Sequence, residues 1–410
     1  MDDKKKEEKN LGTEVSRRDF IKGAATSALA VAATGVLSAC ATPGAAGRAA
    51  GGPSPIFEPT KIGTLTLKNK LIRGAMGERR SDANGSPTPA LIRMYEEEAA
   101  GGIGMIITGL IGVLKEDHYG PRFAGFYDAS QIPAYKAAAD AVHRNGGKLC
   151  AQISLHSAAS QAHVGGLPVA SPFDVATMTR EDIRRGANAF AQTAVWLRDA
   201  GFDAINFHFA HIYLLAQFWA HFHNPRTDEY GGSAENRARF AFEVVEAVRR
   251  AVGRDFPLTA KINSNEHFVR PGSSQDETNF YAQGLADRGI NAIEISGIGM
   301  RAEPIRPNIL SREDHNYFSW DARNIARSVN VPMIVTGGIR NVDLAEEAFK
   351  HNDKLVGLGL ARTILAEPDL PNKWQKDPKH TPLCISCNWC MANLFGENDR
   401  ALCIFDRNRA

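Results

Sequence analysis

Past residue 55 the apolar positions change period repeatedly. Short runs of β-branched and aliphatic residues alternate with longer stretches in which apolar residues recur every three or four positions. The first kind reads as buried strands and the second as amphipathic helices. Strands are predicted over residues 71–75, 104–108, 148–153, 204–207, 258–262, 292–296, 333–336 and 355–360, and helices over 89–100, 132–145, 180–200, 234–252, 276–288 and 343–351. Eight strand–helix pairs over about 310 residues predict an α/β fold, a closed (β/α)8 TIM barrel. A doubly wound sheet would announce its first turn with a Gly-rich fingerprint, and none follows residues 71–75. The stretch from Ile56 to Leu67, with Gly63 and alternating Leu65 and Leu67, predicts a small hairpin capping the barrel bottom.

Barrels carry their chemistry on loops at the C-terminal ends of the strands, so the polar residues there come first. Gln152 ends the third strand, His208 and His211 follow the fourth, and Lys261 ends the fifth. Gly337 and Gly338 follow the seventh and Arg362 the eighth. His208 and His211 are three apart, which in a helical turn would put both rings on one side. A metal site from these two with His221 or His223 is the competing reading, without an obvious carboxylate spacing to support it.

Composition narrows the picture. Among 410 residues, 48 Lys and Arg face 46 Asp and Glu, a net charge of +2. That balance gives no general field to hold nucleic acid. Six cysteines are too few for a disulfide-built scaffold of this size, and four of them, Cys384, Cys387, Cys390 and Cys403, gather near the C-terminus, which suggests ligation.

The first forty residues read as an address. Ser16-Arg17-Arg18-Asp19-Phe20-Ile21-Lys22 precedes an Ala-rich apolar run too short and too rich in small residues to be a good permanent span. It looks like a twin-arginine export signal. Leu37-Ser38-Ala39-Cys40 resembles a lipobox, which would make Cys40 a lipidated first residue and anchor the protein without crossing the bilayer. The bland alternative is a signal removed further on, within the linker predicted over 41–54. The expected location is periplasmic or cell-envelope.

Four segments then resemble one family. Ile56-Phe57-Glu58-Pro59, residues 101–108, His208-Phe209-Ala210-His211-Ile212-Tyr213 and Arg226-Thr227-Asp228-Glu229-Tyr230-Gly231-Gly232-Ser233 are similar to the Old Yellow Enzyme family of FMN barrels, and the likeness runs from Pro55 to Trp374. It implies FMN at the barrel mouth and hydride exchange between the flavin and an electron-poor alkene. Carried over by position, Ala75 and Met76 lie beside the flavin, Gln152 reads its pyrimidine edge, and Gly337, Gly338 and Arg362 take its phosphate. Lys261, where most relatives have Arg, supplies the positive charge that favours reduced flavin; it could instead pair with Glu294. His208 and His211 would hydrogen-bond the substrate carbonyl as an oxyanion hole, with Tyr213 as proton donor. The sequence departs from the family at Ile212, usually glycine, around Leu155 and His156, and at Met76, where many relatives carry Cys or Thr.

The spacing Cys384-x2-Cys387-x2-Cys390-x12-Cys403 resembles the [4Fe-4S] stretch of the trimethylamine dehydrogenase and dienoyl-CoA reductase branch. Zinc and disulfides are the other readings of four such cysteines. The predicted division is thus a barrel over 55–375 and an iron–sulfur-type extension over 376–410. Larger members of that branch continue into a nucleotide-binding domain, whereas this sequence runs to Ala410, so the expected electron supply is a redox partner protein or quinone-linked carrier. Two further readings remain: an amine dehydrogenase, for which covalent flavin has only Cys150 available in the barrel, and an exported binding or sensory lipoprotein without turnover.

Overall fold

A computed structural model describes residues 54–118, 120–157, 171–264, 273–297, 308–309, 311–395 and 400–406. The leader predicted over 1–40, with Cys40, and the linker up to residue 53 lie outside the described residues. Eight parallel strands close into the predicted barrel: β3 (Leu71–Arg73), β4 (Met105–Gly112), β6 (Lys148–Ser154), β7 (Ala204–Phe209), β8 (Leu258–Asn263), β9 (Ala292–Ser296), β10 (Met333–Thr336) and β11 (Leu355–Leu360). Closure is made by β11 pairing with β3 and β3 with β4. β5 (Ala124–Gly125) adds a two-residue ladder outside β4. The first strand is shorter than predicted, and the second runs on to Gly112.

The surrounding helices are α1 (Pro89–Ala100), α2 (Ile132–Arg144), α3 (Arg180–Asp199), α4 (Leu214–Trp219), α5 (Ala234–Val252), α6 (Gln275–Asp287), α7 (Ser319–Ser328), α8 (Val342–His351), α9 (Arg362–Ala366), α10 (Leu370–Lys376) and α11 (Trp389–Phe395). Their starts follow local chemistry. Thr179 and Asp182 form a reciprocal capping box at α3, as do Ser274 and Glu277 at α6, so donors orphaned at the first turn find side-chain acceptors. Among the described residues no helix is long and apolar enough to cross a membrane.

The hairpin of β1 (Thr60–Ile62) and β2 (Leu65–Leu67) sits where it was predicted. Ile62, Leu65 and Leu67 join Ile72, Met105, Ile107, Cys150, Ala204, Ala292 and Ile334 in one buried apolar cluster that plugs the barrel floor. Beyond α10 the chain returns to the other end of the barrel. Arg79 donates to the Leu394 carbonyl (2.7 Å) and Ala401 N–H to the Glu78 carbonyl (3.2 Å), pinning the extension to the loop after β3.

Candidate active site

Strand register builds the site. Gln152 is opposite Asn206, Asn206 opposite Thr259, and His208, Lys261 and Glu294 are opposite one another on β7, β8 and β9. Gln152 Nε2 donates to Asn206 Oδ1 (2.8 Å). Asn206 Nδ2 donates to Thr259 Oγ1 (2.9 Å) and Glu294 Oε2 (3.3 Å), and Thr336 Oγ1 donates to Glu294 Oε1 (2.6 Å). Lys261 Nζ lies 3.1 Å from Glu294 Oε1, both side chains buried. The pairing with Glu294 raised as the alternative for Lys261 is therefore present. It fixes the Lys261 head group within the barrel against a buried carboxylate partner, the arrangement a buried cation needs. Both Gln152 and Lys261 stand two residues before their strand ends.

Strand β7 runs on to Phe209, so His208 belongs to the strand rather than to the loop after it. The helical spacing expected for His208 and His211 is not what joins them: His211 and Ile212 both take left-handed backbone, φ 56° and 60°, in a tight loop. The rings meet nonetheless, 5.0 Å apart and nearly perpendicular, and the Tyr213 ring lies 4.2 Å from that of His208. His211 N–H donates to Asn263 Oδ1 (3.1 Å), and its Nε2 is 2.9 Å from Ser296 Oγ. Burial first, then the neighbouring Lys261 charge, lowers the His211 pKa to about 3, and burial with His211 and Lys261 beside it drives His208 down as well. Both imidazoles are neutral at physiological pH, and His208 Nδ1 is buried with no hydrogen-bond partner among the described residues. A neutral ring with an unmatched polar atom, beside a fixed cation, suits an oxygen-bearing ligand.

Gly337 and Gly338 follow β10, Gly338 at φ 69°. A Cβ on Gly337 would stand 2.6 Å from the Phe318 ring and one on Gly338 2.8 Å from the Tyr317 ring, so glycine is enforced by close approach. Arg362 opens α9 and donates from Nη1 to Asn388 Oδ1 (2.5 Å). Ala75 packs on the floor cluster, and Met76 shares an apolar cluster with Leu394, Tyr213 and Cys390.

That last cluster brings the cysteine stretch to the barrel mouth. Cys384 and Cys403 pack together against Ala366. The Cys390 thiol is pushed up to about 11, chiefly by burial and further by Cys384 and Cys403, against the pull of Arg362. Cys387 is exposed, and no disulfide joins the four among the described residues. Among the described residues no three His, Cys, Asp or Glu side chains stand close enough to share one metal ion, at His208 and His211 or at the cysteines. Cys150 lies in the apolar floor with its thiol raised by burial, a poor place for covalent flavin.

Several residues escaped the sequence reading. Asn206 and Thr336 complete the polar layer, and a period-two reading back along β7 from His208 would have found Asn206. Arg340, after the glycine pair, is buried and donates to Ser386 Oγ (2.9 Å) and to the Cys384 carbonyl. His156, in a register left open, is buried against Asp117, its N–H 2.7 Å from Asp117 Oδ2, with its ring 5.6 Å from that of Tyr213. Arg226 turns out to be scaffold. It grips Asp228 (2.5 Å) and the Val175 and Met178 carbonyls (both 2.8 Å), while Ser233 caps α5.

Residues 55–380 match the sequence pattern of the NADH:flavin oxidoreductase / NADH oxidase family. The chain is 34% identical over 362 residues to a metal reductase of Desulforamulus reducens, covering 83% of this chain and 52% of that protein. It is 30% identical over 383 residues to 4,4'-dithiodibutanoate disulfide reductase of Rhodococcus erythropolis, covering 84% and 94%. Among solved structures it superposes on a 2-naphthoyl-CoA reductase complex with a TM-score of 0.77 at 24% identity over 86% of this chain and 56% of the other. With Old Yellow Enzyme from Pichia sp. AKU4542 the TM-score is 0.64 at 23% identity, over 80% and 88%. At that identity the structural likenesses carry the fold. The chain spans about half the length of the first curated relatives it matches.

Proposed function

Because the chain belongs to the NADH:flavin oxidoreductase / NADH oxidase family, we propose that it is an FMN-dependent reductase of electron-poor alkenes, enone-like in chemistry, with a [4Fe-4S] cluster at Cys384, Cys387, Cys390 and Cys403 relaying electrons. The reading is carried by the neutral His208–His211 pair set against the buried Lys261 ammonium at the barrel mouth. FMN, when bound, supplies a two-electron carrier able to pass hydride to the alkene. Gln152 offers donor and acceptor to its pyrimidine edge, Lys261 a cation there, Ala75 and Met76 flank it, and Arg362 with the Gly337 and Gly338 amides takes the phosphate.

The two histidines orient the substrate carbonyl and stabilise the charge that builds on its oxygen. For His211 this needs Ser296 to donate to Nε2, which leaves the proton on Nδ1. Tyr213 stands beside His208 to deliver a proton to the α-carbon. The spacing Cys384-x2-Cys387-x2-Cys390-x12-Cys403 supports the cluster, since three thiolates two residues apart would hold one face of it and Cys403 would complete the set.

Export by the twin-arginine route and lipid anchoring at Cys40 complete the proposal, with a redox protein or quinone-linked carrier as donor. Cys40→Ser should move the protein from the membrane fraction to the soluble one; unchanged fractionation removes the anchor. For the core proposal, anaerobic protein should show a flavin band bleached by dithionite and restored by 2-cyclohexenone. His208→Ala should slow that restoration about 10²–10³-fold with the flavin still bound. Since both histidines are already neutral, the rate should show no inflection near pH 6.5 from them. A colourless preparation that refuses FMN sinks the flavin reading, and protein without iron and acid-labile sulfide sinks the relay.

A further inference from the structure

Between Cys384 and Cys390 two non-glycine residues take left-handed backbone, Ser386 at φ 55° and Asn388 at φ 59°. Glycine would suit those conformations better, since any Cβ there costs about 1–2 kcal/mol, with Asn penalised least. Both side chains instead hold arginines that come from barrel loops. Ser386 Oγ accepts from Arg340 Nη1 (2.9 Å), and Asn388 Oδ1 accepts from Arg362 Nη1 (2.5 Å). Arg340 also donates to the Cys384 carbonyl. Arg340 follows Gly337 and Gly338 by two residues, and Arg362 is the proposed phosphate cation. The cysteine loop is thus fastened, at two alternate positions, to the two loops assigned to the flavin phosphate.

We infer that this double clamp couples the two cofactor sites, so that metal loading of the cysteines tightens FMN binding through Asn388 and Arg362. The inference rests on the proposed function. Asn388 sits between Cys387 and Cys390, so ligation of those two thiolates fixes its side chain and holds the Arg362 guanidinium in one orientation. Cys387 is exposed, so ligation would add a tether to that stretch beyond its own packing. Ordering Arg362 beforehand lowers the entropy lost on phosphate binding. Linkage then requires FMN to retard metal loss by the same factor. Asn388 acts as a positioning residue, since it reaches the phosphate site only through Arg362.

The test compares FMN dissociation constants, from quenching of flavin fluorescence, for the full chain before and after reconstitution with ferrous iron and sulfide. Iron-loaded protein should bind FMN roughly tenfold more tightly. Asn388→Gly, which keeps the backbone conformation and removes the acceptor, should reduce that ratio to about one while leaving the metal-free dissociation constant within twofold. Ser386→Gly releases only Arg340, from a left-handed position that glycine also accepts, and should reduce the ratio partly. Chelator-driven iron release should slow on adding FMN in the parent and not in Asn388→Gly. An equal or weaker FMN affinity in iron-loaded parent protein overturns the coupling, as does a ratio unchanged by Asn388→Gly, or FMN binding with no iron uptake at all. Failure to bind FMN in either state would instead remove the flavin reading beneath it.

Discussion

Inside one barrel, two adjacent layers follow opposite rules. At the floor the inward positions are Cys150, Ala204, Ala292 and Ile334, packed with Met105 and the hairpin leucines. Two residues further along the same strands they become Gln152, Asn206, Glu294 and Thr336. Side chains two apart on a strand share a face, so the interior passes from apolar to ionic within one pleat. Among the described residues the floor cluster is apolar throughout, with no charge or amide that demands a partner. The mouth holds one ammonium and one carboxylate that persist only because Asn206 and Thr336 complete the set. For folding alone an apolar mouth would serve as well, since replacing a buried ion pair by packed apolar groups is often neutral or stabilising. The polar layer is therefore what the proposed flavin site, rather than folding, would require.

The comparison breaks most sharply at Lys261. Lys261→Met leaves Glu294 buried without its cation, and the expected loss is about 3–5 kcal/mol in urea unfolding of flavin-free protein. Adding Glu294→Leu should recover much of it, because the pair goes together. A double variant as unstable as the sum of the two singles would mean that Lys261 and Glu294 are energetically independent, and that an unpaired Glu294 is not what Lys261→Met costs.

At the floor the same measurement answers to volume alone. Met105→Ala should cost about 2–5 kcal/mol through lost transfer energy and a residual cavity. Its effect on FMN affinity should be absent once folding is allowed for. A floor substitution that weakens FMN as strongly as one at the mouth would show the two layers to be mechanically one.

How far the sequence exposes each layer follows from the same physics. Buried strands write themselves as β-branched runs, so all eight were legible, and so was the hairpin from its alternating leucines. Gln152, Lys261, His208 and Gly337 were legible because barrel chemistry lies at strand ends. What failed was geometry set by distant residues. The His208–His211 spacing suggested a helical turn, yet the loop is a pair of left-handed residues tied to Asn263 and Ser296 on other strands. The grip of Arg340 on Cys384 and Ser386 spans more than forty residues and has no periodic signal. Arg226 shows the converse, since within the segment that most clearly marks the family it braces a loop through Asp228 and the Val175 and Met178 carbonyls.

A third polar set, outside the barrel wall, sharpens the contrast because its charges do not balance. Arg73 lies between Glu78 (2.8 Å) and Glu98 (3.3 Å), with Tyr95 donating to Glu78 (2.9 Å). Burial, with Glu78 adding to it and Arg73 opposing, raises Glu98 to about 7. The unfolded chain ionises this group near 4.5, so the unfolded state binds fewer protons between those values. The resulting stability is full below pH 4.5 and falls as pH rises to 7, on the order of 2–3 kcal/mol. Glu98→Gln should flatten that limb. A parent curve already flat from pH 4.5 to 7 would mean that Glu98 is ionised throughout.

The smallest effect is expected where the mouth departs from its family, at Ile212. Its φ of 60° is unfavourable for a β-branched side chain, at about 1–2 kcal/mol, yet the side chain is buried. Ile212→Gly relieves the strain but gives up burial worth about 1.5–3 kcal/mol and adds freedom to the unfolded chain. These terms nearly cancel, and the net loss in thermal unfolding should stay near 1 kcal/mol. Gln217 donates to the Ile212 carbonyl (2.6 Å) and Asn263 accepts from His211 N–H, neither needing the isoleucine side chain, so the loop should keep its path. Enone-driven flavin reoxidation should then stay within about threefold of the parent, a change of less than 1 kcal/mol in barrier. A much larger rate loss at unchanged stability would show that the Ile212 side chain touches the substrate and belongs with His208 and His211 rather than with the scaffold.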